Sequence, residues 1–188
     1  DDDPLPAESV DEGDYEYSVG DIDLELHVRD TQFAPGTAQQ LATQLASQEG
    51  VDLLYGVGNS GGAIRVINQV VDQAGIPFIA GPAASATITS GQETCRENVF
   101  RANENTAMDA RSGGVYIADN TDVDKIALFG ADYSFGRAVV NNYKQVLQSR
   151  GVEIVTERFV ERGYSEWPGL LDEAQQAGAQ GMVGGFTA

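Results

Sequence analysis

Apolar and polar residues alternate strictly from Ile22 to Val28, with Ile22, Leu24, Leu26 and Val28 interleaved by Asp23, Glu25 and His27. A period of two predicts a half-buried strand near a sheet edge, ended at Asp30. From Pro35 the period changes. Leu41, Leu45 and several alanines recur at three- and four-residue spacing until Gly50, and the leading proline and trailing glycine punctuate a helix. The alternation then repeats: a strand at 53–57, a helix with Ile64, Ile67, Val70, Val71 and Ala74 on one face, and a short apolar strand at 76–80. A polar loop over 81–98 leads to a strand at 99–101, a helix near 106–119 and a strand at 125–129. Val139, Val140, Tyr143, Val146 and Leu147 make a further helical stripe, followed by a strand at 152–160, a helix at 167–177 and a last strand at 182–186.

Strands that alternate with helices across short connections are joined by right-handed crossovers into mainly parallel sheets covered on both faces. The expected fold is therefore α/β and doubly wound, and ligands in such a fold sit beyond the carboxyl ends of the strands. Residues 1–21 break the rhythm. They are acidic and sparse in apolar residues, which predicts a leader or linker with a short strand around 15–19 and no assigned function.

Charge narrows the function. Against 29 acidic residues stand 11 basic ones, and only Lys125 and Lys144 are lysines, for a formal charge of −18. Nucleic-acid binding needs clustered Lys and Arg on phosphates, so that class is excluded. Twelve of the acids lie in the first thirty residues and the rest are spread over helices and loops, which makes the charge a solvated surface as well as a tail. Such a surface repels itself in dilute salt, and the Debye length falls to about 3 Å near 1 M, so a salt-adapted protein is expected. Cys95 stands alone, which excludes an internal disulfide and leaves it as a small buried, incidental or reactive residue. No run of about 18 apolar residues is present, so the sequence contains no expected membrane span, and any export signal is expected to have been removed.

Three loops carry candidate chemistry. Gly56, Gly58, Asn59, Ser60, Gly61 and Gly62 lie between a strand and an amphipathic helix, where backbone N–H groups converge at a positive helix end. The spacing also matches a dinucleotide fingerprint, but the following strand runs into Gly81, Pro82 and Ala83 without the ribose-binding acid such a site needs. A plain tight turn is the remaining alternative. A serine nucleophile at Ser60 needs a base, and the lone histidine, His27, sits in an earlier strand and reads as an exposed strand residue, so no catalytic residue is assigned. The second loop, 81–89, offers small side chains, free amides and hydroxyls. Ser60 and Ser85 fall on neighbouring strand-to-helix loops, where they either cap their helices or hold a carboxylate across a shared gap. The third loop, Asp132 to Gly136, places Phe135 and Tyr133 where they either cover a ligand or pack locally, and Asp132 where it can cap a helix.

Taken together, Asp30-Thr31-Gln32 with Pro35, the stretch 55–62, Ala74-Gly75-Ile76-Pro77 leading to Pro82-Ala83-Ala84-Ser85, Val99-Phe100-Arg101, Asp132 to Gly136, and Gly184-Gly185-Phe186 resemble the type I periplasmic solute-binding proteins, specifically receptors for leucine, isoleucine, valine and related amides. The resemblance starts near Ile22 and implies two doubly wound parallel-sheet lobes, the first over 22–102 and the second over 103–188. It implies an exported receptor that captures an amino acid in the cleft and delivers it to the membrane permease of an ABC importer, with no cofactor or metal. A ligand-sensing ectodomain of a signalling receptor shares the same fold and pocket. Carried over position by position, the ligand side of the first lobe comprises Asn59, Ser60, Ala83, Ala84 and Ser85, with Ser85 standing where threonine is frequent. The second lobe offers Phe135, where tyrosine is usual, and Phe186. Family members also begin with a strand and helix that this sequence lacks and continue well past Ala188, so about half of the expected protein is missing.

Overall fold

A computed structural model describes residues 11–186; the first ten residues of the expected acidic leader, and residues 187–188, lie outside the described residues. The chain runs β1 (Gly13–Val19), β2 (Ile22–Val28), α1 (Pro35–Gln44) with a π-helical extension (Leu45–Glu49), and β3 (Leu54–Gly56). It continues through α2 (Ser60–Val66), a second π-helical segment (Ile67–Val71), α3 (Asp72–Ala74), β4 (Phe78–Ala80), the short α4 (Thr87–Ser90) and β5 (Val99–Arg101). The last part comprises α5 (Thr106–Asn120), β6 (Lys125–Ala131), α6 (Ser134–Ser149), β7 (Glu153–Val160), α7 (Trp167–Gln176) and β8 (Gly181–Gly185). The α/β alternation expected from periodicity is present, and both three-stranded sheets, β3-β4-β5 and β7-β6-β8, are wholly parallel.

Strand β6 shows why its sequence reads as one continuous apolar run. Residues 126–131 are all buried, with Ile126 and Leu128 packing among Val140, Leu147 and Val152 on one face, while Ala127 and Phe129 pack among Val160, Leu170 and Ala174 on the other. A central parallel strand covered on both faces has no polar side. The β3-β4-β5 sheet has a core of its own, in which Phe78, Ile67, Val66, Val71 and Ile88 are almost fully buried.

The pairing of the first strands departs from expectation. The short strand expected around 15–19 is present as β1, extended to Gly13, and β2 pairs with it antiparallel from Gly13 opposite Val28 to Val19 opposite Ile22. Among the described residues β2 shares no ladder with β3, so it is not an edge of the parallel sheet. Leu24 and Leu26 stay 44% and 41% exposed and, with Leu41, Leu45, Leu54 and Phe78, line a cavity of about 860 Å³ between the hairpin and β3. The alternating pattern correctly marks an apolar face; the described residues supply no partner to cover it.

His27 is the second departure. Its side chain is only 14% exposed, and Nδ1 lies 2.8 Å from Asp14 Oδ1 and 3.1 Å from Glu49 Oε2. Asp14, His27 and Glu49 present their polar atoms within 4.8 Å of one another. The Arg29 guanidinium bonds to both carboxylates, at 2.7 Å and 3.0 Å, and so already supplies a cation there. The cluster is a clasp between the hairpin and the end of the first helix. The bond from Arg29, then that from His27, holds the Asp14 carboxyl below its ordinary value.

Candidate ligand-binding crevice

Strand β3 ends in a loop with little conformational latitude. Gly56 has φ +116, and Val57, a β-branched residue, is held at φ +67, a region that costs on the order of 1–3 kcal/mol. Asn59 follows in extended conformation and caps α2: its Oδ1 accepts from the Gly62 N–H at 3.1 Å, and its Nδ2 donates to the Phe33 carbonyl at 3.4 Å. Gln32 and Phe33 are themselves at φ +52 and +55. Two consecutive left-handed residues turn the Phe33 ring over Gly58, where an added Cβ would stand 3.8 Å from the ring.

Ser60 and Ser85 are brought together, as expected for neighbouring loops, but they do not open onto a gap. The Ser85 N–H donates to Ser60 Oγ at 3.1 Å, Ser85 Oγ lies 2.8 Å from Thr87 Oγ1, and each residue is only 1% exposed. Buried hydroxyls satisfy themselves on the nearest backbone, and these two tie one loop to the other. The same loop is clamped from below. Arg101 donates to the carbonyls of Ala83 and Ser85 at 2.9 and 2.7 Å, Thr106 Oγ1 accepts from the Ala86 N–H at 3.1 Å, and the Thr106 N–H reaches the Ala84 carbonyl at 2.9 Å. Burial pushes the Arg101 guanidinium down from its ordinary value. Ala83 is buried and Ala84 half-buried.

The loop after β6 lies against Phe33 and the start of α2. The Asp132 N–H bonds to the Val160 carbonyl at 2.7 Å, placing the ends of β6 and β7 side by side, and Asp132 Oδ1 accepts from Arg137 Nε at 2.8 Å. Tyr133 meets Phe33 edge-on at 6.0 Å and 73°, and Phe135 lies 6.1 Å from Tyr133. Arg162, from the loop after β7, lays its guanidinium 4.3 Å over the Phe33 ring. An added Cβ at Gly61 would stand 3.1 Å from Ser134 Oγ, so the starts of α2 and α6 nearly touch. Phe186 is 37% exposed and meets Trp167 edge-on at 4.9 Å in a separate aromatic group with Tyr164.

The loop after β2, tied to the β3–α2 loop by Asn59, thus meets the loops after β6 and β7 through Phe33, Tyr133 and Arg162. Phe33 and Arg162 were missed by sequence reasoning. Their only local signal was the Asp30-Thr31-Gln32 stretch before Pro35, because a left-handed pair of non-glycine residues leaves no compositional mark.

Comparison with known proteins now gives the class. The periplasmic binding protein family matches residues 14–188, and the chain belongs to that family. Members of the family are binding proteins of ABC transporters, not enzymes.

Among solved structures, the chain is similar to a periplasmic binding protein from Burkholderia mallei, at 25% identity and a TM-score of 0.78 over 85% of this chain and 42% of that one. It is also similar to a solute-binding protein of an ABC transporter from R. palustris in complex with benzoate, at 24% identity and a TM-score of 0.76 over 85% and 43% of the two chains. A branched-chain amino acid transporter protein from Rhodopseudomonas palustris matches at 23% identity and a TM-score of 0.60, again over 85% and 43%. The chain therefore spans less than half the length of each of these structures. No curated protein sequence matches it significantly.

Proposed function

We propose that this chain is the ligand-capturing part of an exported solute-binding receptor that hands a small organic acid to the membrane permease of an ABC importer. The observation that carries the reading is the meeting of the loop after β2, tied to the β3–α2 loop, with the loops after β6 and β7 through Phe33, Tyr133 and Arg162, at the ends of strands where ligands bind in such folds. We assign the first lobe to 22–102 and the second to 103–188. Asn59 and Ala84 stand on the first-lobe wall, Ser60, Ala83 and Ser85 fix that wall from within, and Phe135 and Phe186 belong to the second lobe. An amino acid is the ligand class drawn from the sequence resemblance, and the neighbour's benzoate extends the class to carboxylates without an amino group.

Calorimetry in high salt with a panel of amino acids and benzoate tests the reading: heat of binding for at least one carboxylate is expected, and none across the panel refutes it. The charge of −18 supports a salt-adapted source, for which melting temperature rises with added potassium chloride. A melting temperature that climbs as salt is removed would contradict that part.

A further inference from the structure

The crevice contains a cation that nothing else in the described protein uses. Acids outnumber bases by 18, and Arg29, Arg96, Arg137, Arg150 and Arg158 are all ion-paired. Arg101 is spent on carbonyls. Arg162 is exposed, pairs with no carboxylate among the described residues, and rests on the Phe33 face. A guanidinium stacked on a ring keeps its hydrogen-bonding edge free, and that planar fork matches a carboxylate bidentately. The strain at Gln32 and Phe33 and the Asn59 bond to the Phe33 carbonyl hold the platform in place.

Beside it, Tyr133 and Phe135 extend the aromatic wall at the edge-on and tilted spacings that suit a further ring. The acid of this wall, Asp132, is taken by Arg137, so an ammonium group would find it already neutralised. We propose that Arg162 is the carboxylate-binding residue of the crevice and Phe33 its aromatic platform, selecting a planar aromatic carboxylate over an aliphatic amino acid. This rests on the receptor reading above and specifies its ligand.

The test is titration of the 188-residue chain and its variants with benzoate, cyclohexanecarboxylate and leucine, with melting curves confirming that each variant is folded. Arg162 is exposed, so its replacement leaves the core intact. Benzoate is expected to bind more tightly than its saturated analogue and than leucine. Arg162→Gln should weaken benzoate about ten- to a hundredfold, the loss of a charge-assisted pair, and Arg162→Lys should restore only part because it keeps charge without the fork. Phe33→Leu should remove the preference for benzoate over cyclohexanecarboxylate while both still bind. Equal benzoate affinity in wild type and Arg162→Gln overturns the assignment, as does leucine binding with benzoate silent; in both cases the receptor reading stands. Silence toward all three ligands and the wider amino-acid panel overturns the receptor reading and this assignment with it.

Discussion

Gly136 and Gly169 are a matched pair, each the third residue of its helix, α6 and α7, and each in the second parallel-sheet unit. Helix propensity treats them alike: alanine in place of glycine should add about 0.5–1 kcal/mol. The surroundings differ. An alanine Cβ at Gly136 would stand 2.5 Å from the Ala131 nitrogen and 2.9 Å from its carbonyl carbon, and closer still to its oxygen, whereas at Gly169 nothing lies within 4 Å. All three atoms at Gly136 are backbone, so no rotamer change relieves them. Carbon contacts settle at about 3.5 Å, so α6 would have to retreat from β6 by about 1 Å.

Overpacking costs about 1–3 kcal/mol, and a backbone clash belongs at the top of that range. After the propensity gain, Gly136→Ala should lose about 2 kcal/mol and Gly169→Ala gain about 0.5–1, a separation of roughly 3 kcal/mol between chemically identical changes. For a unit of this size the loss corresponds to a fall of about 8–16 °C in melting temperature. Urea and thermal melts followed by circular dichroism at fixed salt measure it, with an unchanged urea slope showing that stability itself moved. Gly136→Ala melting at or above wild type, or both variants shifting in the same direction, would refute the steric argument. Phe135 precedes this glycine, so the same substitution should also disturb the crevice wall.

Three further outcomes follow from single contacts. Asp14 has its carboxyl pKa lowered by Arg29 and His27, so its contribution is present above the unfolded value of 3.8 and is lost as pH falls through the folded one; Asp14→Asn should flatten the acid limb of a melting-temperature-against-pH curve, and an unchanged limb would show that the clasp contributes nothing. Asn59→Ala removes both a helix cap and a bond to Phe33, for about 2 kcal/mol in denaturant melts, while Asn59→Ser keeps a capping oxygen and should cost about half as much; the reverse order would rule out the cap. Leu24 and Leu26 face the cavity beside β2, so replacing both with serine should reduce binding of an apolar fluorescent dye while changing stability by no more than about 0.5 kcal/mol each.

Periodicity by itself determined the α/β order, because the repeats of two and of three to four are written in neighbouring residues: β6 and the stripe of α6 were legible to within a few positions. It also located the strand-end loops, since glycine and small residues mark those turns locally. Pairing was not legible. The same alternation in 22–28 that reads as a sheet edge serves equally well in a hairpin with β1, and only the ladder decides which. The serines show the same limit at the site. Sequence placed Ser60 and Ser85 on adjacent loops, but whether a hydroxyl faces a ligand or a neighbouring N–H depends on which backbone lies within 3.1 Å of it. Phe33 and Arg162 are 129 positions apart in sequence, yet the guanidinium lies over the ring. No local pattern encodes that contact, because it exists only once the loop after β2 and the loop after β7 are brought together by the fold.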